Sequence, residues 1–256
     1  MFTDFSDRMS SKSAALLLTI DTRLDVILKY WLVLAGLASA ARIAFAPHPN
    51  SMSGFSTLAS YFLVVVTPFA STLLALRWFA DGHLQPQPVV RLARVGRWRP
   101  VSRADAETHP LYGARGIMVS LIVGMMLNVP VRAAEYLAAM PPIPFESPRW
   151  LSVLHFAMTF DVVAFTSLYM IAFVAALRRV PLFPRLLVAI WIADIAMQLV
   201  TAQMVGSTHV PANVAVALQH LLIGNVKKVL ISIVLWLPYL LLSARVNVTY
   251  RHRIAA

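Results

Sequence analysis

Six stretches of this chain are each long and apolar enough to cross a membrane, and no other feature restricts its fold so tightly. The hydrocarbon core of a bilayer holds no water to satisfy backbone N–H and C=O groups. A crossing segment therefore closes its own hydrogen bonds as a helix of about 20 residues. The stretches run from about Val26 to Ala46, Thr57 to Ala80, Gly116 to Met140, Trp150 to Leu177, Leu182 to Val205 and Val226 to Ala244. The third carries the most polar residues: Asn128, Pro130, Arg132 and Glu135. The expected fold is all-α, an integral membrane helical bundle of six transmembrane helices. Composition agrees, with 59% hydrophobic and only 13% charged residues, where a soluble domain runs near half and a quarter. The chain has no cysteine, which excludes disulfides, thiolate catalysis and thiolate-held zinc or iron–sulfur centres.

The net charge of +11 would in a soluble chain suggest nucleic acid. In an apolar chain it follows from the gathering of Lys and Arg in cytoplasmic connections, so no nucleic-acid partner is expected. Arg8, Lys12, Arg23 and Lys29 lie before or at the foot of span one. Arg77, Arg91, Arg94, Arg97, Arg99, Arg103 and Arg115 follow span two. Arg178, Arg179 and Arg185 lie between spans four and five, and Arg245, Arg251 and Arg253 in the tail. Only Arg42, Arg132, Arg149, Lys227 and Lys228 fall to the other side. Six crossings put both termini on the basic side, which predicts an N-in, C-in protein of the cytoplasmic membrane.

The division that follows is a cytoplasmic N-terminal segment (1–25), a two-span N-terminal extension (26–80), a basic cytoplasmic loop (81–113), a four-span membrane unit (114–247) and a cytoplasmic tail (248–256). Asp4 and Asp7 and the short apolar run Ala14–Ile20 do not make a cleaved signal peptide, so the N-terminus is expected to be retained. Pro47–Ser56 carries no Lys or Arg, and Met140–Arg149 holds Pro141, Pro142, Pro144 and Pro148, a stiff extended link. Ala212–Leu222 is apolar but too short to span. It reads as an interfacial helix, a re-entrant helix or the bent beginning of span six. The basic loop interleaves Arg91, Arg94, Arg97, Trp98 and Arg99 with apolar residues. These are candidates to face anionic lipid headgroups, or simply to hold orientation.

Three stretches carry a resemblance to a known family. They are Leu111-Tyr112-Gly113 to Gly116 running on to Pro130, then Phe183-Pro184-Arg185-Leu186, and finally Leu237-Pro238-Tyr239, Ser243-Ala244-Arg245-Val246 and Thr249-Tyr250. From Leu111 to about Arg251 the chain resembles the bacterial membrane-protein family designated domain of unknown function 2569. That family has a four-span unit closing with Pro-Tyr in the last helix and Ser-x-Arg-Val just inside the membrane. Where the family has Gly-Trp-Leu at its first span, this chain has Gly116-Ile117-Met118. The resemblance implies helical membrane architecture, with Gly113, Gly116, Pro130, Phe183, Pro184, Pro238, Tyr239, Ser243, Arg245 and Val246 as its motif residues. It implies no reaction.

Ionisable groups inside spans are the sharpest functional pointers, because a charge at the centre of a crossing helix costs roughly 2.5–3.5 kcal/mol on insertion scales. Asn128, Arg132 and Glu135 stand at i, i+4 and i+7, on one face of span three, and Asp194, Gln198 and Thr201 share that spacing on span five. Asp161 lies near the middle of span four, with His155 and Thr159 further out. These stripes could converge on one cavity reaching from the outer face to mid-depth, making Asp161, Asp194, Arg132, Glu135, Asn128 and Gln198 candidates for a ligand or proton site. The competing account is structural: paired polar groups between helices, worth about 0.6 kcal/mol each. No His pair stands at i, i+4, and neither a phosphate-cradling glycine loop nor a nucleophile elbow is present. No catalytic residue, metal or cofactor is expected. The leading functional expectation is a non-enzymatic accessory protein that binds a membrane-protein partner or lipid. The alternatives are a small proton-coupled transporter or pore built on the polar cavity and, last, an intramembrane enzyme using the two aspartates.

Overall fold

The computed structural model describes residues 2–45, 55–90, 92–144 and 147–256. Arg91 and most of the Pro47–Ser56 connection lie outside the described residues. Among the described residues, nine α-helices and one two-stranded sheet follow in order: α1 (Phe2–Thr22), α2 (Leu24–Ala44), α3 (Phe55–Trp78), β1 (Trp98–Pro100), α4 (Arg103–Thr108), α5 (Ile117–Ala139), α6 (Arg149–Leu177), α7 (Phe183–Gly206), α8 (Ala212–Leu242), α9 (Ala244–Arg251) and β2 (Arg253–Ala255). Six of them, α2, α3, α5, α6, α7 and α8, are long and apolar enough to cross a membrane. The chain is an all-α, multi-pass membrane protein.

The axis of the bundle is α6, which packs against α3, α5 and α7. Its consecutive residues Ala172 to Ala176 are all 0% exposed. A helix covered on every face is central, and the three alanines in that run let neighbours approach closely. Because α3 lies along α6 and α2 touches both α3 and α5, the two N-terminal spans belong to the same bundle as the four that follow. Among the crossing helices, α8 has its main packing on α7. It turns Ile231, Val234 and Leu235 outward, a surface suited to lipid chains. The stretch 212–222 is continuous with span six. Together they form one helix of 31 residues, about 46 Å at 1.5 Å per residue, longer than the roughly 30 Å hydrocarbon core. Leu218 and Leu221, in its first turns, pack over the far end of the bundle near Met140, Leu154 and Met158.

The end that carries both termini is closed by a cap. Helix α1 lies beside α2 and α5, with Leu17 and Ile20 buried in the core, Ser13 Oγ accepting from the Gly116 amide at 2.8 Å and Asp21 facing Arg178 at 3.5 Å. The basic loop does not simply lie on a surface. Its strand β1 pairs antiparallel with β2 of the tail, Trp98 opposite Ala255 and Pro100 opposite Arg253. Gln87 donates to the Tyr250 carbonyl at 3.0 Å and the Val101 amide to the His252 carbonyl at 3.0 Å. The headgroup-facing role expected of Trp98 is corrected by this pairing. The ring is 9% exposed, and its indole N–H is turned back onto the Val95 carbonyl at 2.5 Å. Arg94, whose guanidinium donates to the Trp98 carbonyl, Arg97 and Arg99 stay exposed.

Several residues of the family resemblance meet at the joint between cap and bundle. Ser243 caps α9 by accepting from the Val246 amide at 3.5 Å. Arg245 donates to the carbonyls of Leu111 and Gly113 at 3.2 and 3.1 Å, and the Gly113 amide donates to Thr249 Oγ1 at 3.0 Å. Gly113 and Gly116 have φ of 92° and 61°, where a side chain is strained and glycine is not. Phe183 packs against Tyr250, the rings tilted by 47° with centroids 5.0 Å apart, and Tyr250 donates to the Ala176 carbonyl at 2.9 Å.

His252 ends α9 in the left-handed region, at φ 47°. Burial, then the Arg103 charge, holds its imidazole below the ordinary 6.5, partly offset by Glu107. The fold thus prefers the neutral ring. The stability it contributes is present above about pH 6.5 and is lost as pH falls through the lower folded value. Hydrogen exchange of the Val101 amide, corrected for intrinsic rate, is expected to show weaker protection at about pH 5 than at about pH 7.5. The same protection at both would contradict this linkage.

Candidate functional site

At the heart of the bundle one guanidinium serves two carboxylates. Arg132 of α5 donates through Nη1 to Asp161 Oδ2 of α6 at 2.9 Å and through Nη2 to Asp194 Oδ2 of α7 at 2.5 Å. Gln198, one turn after Asp194, donates to Asp161 Oδ1 at 2.9 Å and lies 3.4 Å from Asp194 Oδ1. The Tyr169 hydroxyl reaches Asp194 Oδ2 at 3.4 Å. The Arg132 guanidinium also stands 5.0 Å from the centre of the Phe165 ring and 6.0 Å from that of Tyr169, where the ring faces attract a cation. Asp194 is 0% exposed. It lies twelve residues from the far end of α7, about 18 Å along the helix.

Beside this triad lies a cavity of about 550 Å³ between α5, α6 and α8. Asn128, Arg132, Glu135 and Tyr136 line it from α5, Asp161 and Tyr169 from α6, and His220, Asn225, Lys228 and Ser232 from α8. Glu135 and Lys228 form an ion pair that joins α5 to α8 across it. Asn225 donates to Gln198 Oε1 at 3.3 Å. Because Gln198 also lines a second, largely apolar cavity of about 560 Å³ between α7 and the first half of α8, the Gln198–Asn225 contact stands between the two spaces. Tyr136 pairs with Thr159 at 2.7 Å and lies 3.5 Å from His155 Nε2. The buried Asn128 Oδ1 has no hydrogen-bond partner among the described residues.

All six residues expected at a ligand or proton site therefore meet here, contributed by three separate helices. Arg42 lies elsewhere, beside Tyr61. Residues outside those six also join it: Tyr136, one turn beyond Arg132; Tyr169, two turns beyond Asp161; and Asn225, Lys228 and Ser232, a polar stripe at i, i+3 and i+7 on α8. Those spacings are legible in the chain. What hides the stripe on α8 is the run of apolar residues that alternates with it. Pro130 lies within α5 two residues before Arg132. It has no N–H to give the carbonyl four residues earlier.

The charges do not balance. With all three groups ionised, one cation faces two anions, and a buried charge without a counter-charge is strongly unfavourable. A bound proton or a cationic solute restores neutrality. Neither family models, nor curated proteins, nor solved structures give a match to this chain.

The imbalance predicts an asymmetry between substitutions. Asp161→Asn or Asp194→Asn leaves a neutral pair and is expected to keep wild-type abundance and thermal stability in mild detergent. Arg132→Gln leaves two buried carboxylates facing one another without their cation and should destabilise by about 3–5 kcal/mol. Adding Asp161→Asn to Arg132→Gln should recover part of that loss. Equal losses from all three single variants would contradict the charge count.

Proposed function

We propose that this protein is a small proton-coupled carrier of the bacterial cytoplasmic membrane, with both termini in the cytoplasm. The single observation that carries the reading is a polar cavity bordered, near mid-membrane, by a triad with one negative charge too many. Taking up one proton makes the triad neutral, and releasing it leaves a negative centre under the cavity. A solute that enters the cavity alters that balance, which is the requirement for coupling solute movement to a proton. The bundle supplies an element suited to move. Helix α8 rests mainly on α7 and is tied across the cavity by the Glu135–Lys228 pair, so exchange of that pair for water would let α8 swing from α5.

The orientation rests on the arginines of the basic loop, the Arg178–Arg185 connection and the tail, which lie at the end shared by the termini, where cytoplasmic loops gather positive charge. Membership of the domain of unknown function 2569 family from Leu111 to about Arg251 is part of the same proposal. It is supported by the way the motif segments, far apart in the chain, meet at one joint. The accessory reading, in which the protein binds lipid or a membrane-protein partner, is favoured by the arginine-rich cap alone. An intramembrane aspartyl enzyme is disfavoured, because the Arg132 guanidinium occupies the place between the carboxylates where an attacking water would sit.

The chain has no cysteine, so an introduced one is a unique reporter. Ser232→Cys is expected to react with a membrane-impermeant thiol reagent, since the Ser232 side chain lines the cavity. In proteoliposomes enclosing a pH dye, a panel of small amines, carboxylates and zwitterions should contain a solute that moves protons with the wild type and at least about tenfold more slowly, or not at all, with Asp161→Asn or Asp194→Asn reconstituted to the same level. An unreactive thiol in the Ser232→Cys variant, together with no solute exceeding protein-free liposomes, would remove the carrier reading.

A further inference from the structure

We propose that the solute held in the cavity between α5, α6 and α8 is a small organic monocation, a primary ammonium compound, bound in exchange for the proton of the triad. The inference rests on the carrier reading and names the class of solute that fits it. Two observations carry it: the charge count around the cavity and the kind of hydrogen-bonding group left open on its wall. Two cations and three carboxylates enter the count. Lys228 is paired with Glu135. Arg132 stands 2.9 Å from Asp161 and 2.5 Å from Asp194, so one negative charge is left over. Tyr136, Tyr169 and His220 also line the cavity, with His155 and Tyr61 against Tyr136. Taken in their neutral forms they leave the count unchanged. Lys227 lines the other cavity, beyond the Gln198–Asn225 contact.

The donors that surround the triad already have partners. The Tyr169 hydroxyl is turned to Asp194 at 3.4 Å, Tyr136 is paired with Thr159 at 2.7 Å, Asn225 donates to Gln198 at 3.3 Å, and Ser232 gives its hydrogen to the Lys228 carbonyl at 3.0 Å. What stays open is acceptors. The buried Asn128 Oδ1 has no hydrogen-bond partner among the described residues; it lies one turn before Arg132 on the same face of α5. The Ser232 oxygen and the Asp161 carboxylate border the same space. An unmatched negative charge beside unused acceptors suits a solute that brings one positive charge and N–H donors. A carboxylate or phosphate would add charge of the same sign. The remaining wall, with Val131, Met158, Val162 and Val229, suits the hydrocarbon part of such a solute, and the cavity of about 550 Å³ falls within the range of about 300–1,000 Å³ usual for small-molecule sites. The exchange balances. The empty site holds one proton shared by the two carboxylates. When the ammonium binds, that proton passes to water and the ammonium keeps its own, so the site is neutral before and after.

The test is isothermal titration calorimetry of the full-length protein in mild detergent at neutral pH, run in two buffers of different ionisation heat so that proton release is read together with binding. The probes are benzylammonium, benzyltrimethylammonium, benzoate and benzyl alcohol, which share a ring and differ in charge and in N–H donors. Benzylammonium is expected to bind and to release about one proton for each cation bound. It should bind at least about tenfold more tightly than benzyltrimethylammonium, which has no N–H to offer Asn128. Asn128→Leu should reduce that preference below about threefold, and Asp161→Asn should abolish both binding and proton release. Should Asn128→Leu not fold, the preference shown by the wild type decides together with Asp161→Asn. No binding of benzylammonium, binding without proton release, a quaternary ion that binds equally well, or benzoate or benzyl alcohol binding as tightly overturns the inference. The carrier reading fails separately. Benzylammonium that binds and releases a proton but moves none in proteoliposomes leaves the cation site and removes the carrier. Proton movement driven by a carboxylate and by no amine leaves the carrier and removes the cation site.

Discussion

The guanidinium of Arg132, shared between Asp161 and Asp194, is the interaction around which the rest of this bundle is arranged. It joins α5, α6 and α7 at one point, 2.9 and 2.5 Å from the two carboxylates. Each of the three charges alone would be badly placed at this depth. Together they leave a single charge unmatched, which is far easier to accommodate and can be removed by one proton. Gln198 and Tyr169 satisfy remaining oxygens, and the Phe165 and Tyr169 faces cover the cation. Without this anchor there would be no reason for the polar stripes of three helices to turn toward one another instead of seeking separate partners. The cavity between α5, α6 and α8 follows from it, because side chains that hold a charged triad cannot also fill the space in front of it with apolar atoms.

The two ends of the bundle answer different demands. At the far end, α8 continues for several turns beyond what a crossing requires and lays Leu218 and Leu221 over the rim of the core. At the terminal end, a loop too small to have a core of its own borrows one. It pairs β1 with β2 and leans on α9, whose residues Val246 to Arg251 are all buried. Several motif residues of the family resemblance serve this joint: Arg245 and Ser243 hold the turn at Gly113 and the start of α9.

Much of the candidate site was legible from spacing. Asn128, Arg132 and Glu135, and likewise Asp194, Gln198 and Thr201, repeat at helical intervals within otherwise apolar spans, and helix geometry compels each trio onto one face. That these faces would point inward follows from the cost of a charge exposed to lipid. The pairing itself was not legible. Nothing in the spacing says that Arg132 binds both aspartates, or that Glu135 turns away to Lys228, because rotation of each helix about its axis is decided by packing against α6. Trp98 shows the same limit in the opposite direction. An arginine-flanked tryptophan beside a membrane resembles an interfacial anchor, and only the pairing of β1 with the distant tail turns its ring inward.

By itself the chain determined that it is a multi-pass helical membrane protein of six crossings, where most of those crossings begin and end, and which polar residues would be expensive unless brought together. Those are consequences of local composition and of the absence of water in the bilayer core. The three-dimensional arrangement decided that Ala212–Leu222 is the first part of one long helix and that the basic loop and tail form a single cap. It also decided that two carboxylates share one cation beside an open cavity. These depend on contacts between segments distant in the chain, where distances of a few ångströms set the charge balance and local sequence pattern carries no record of them.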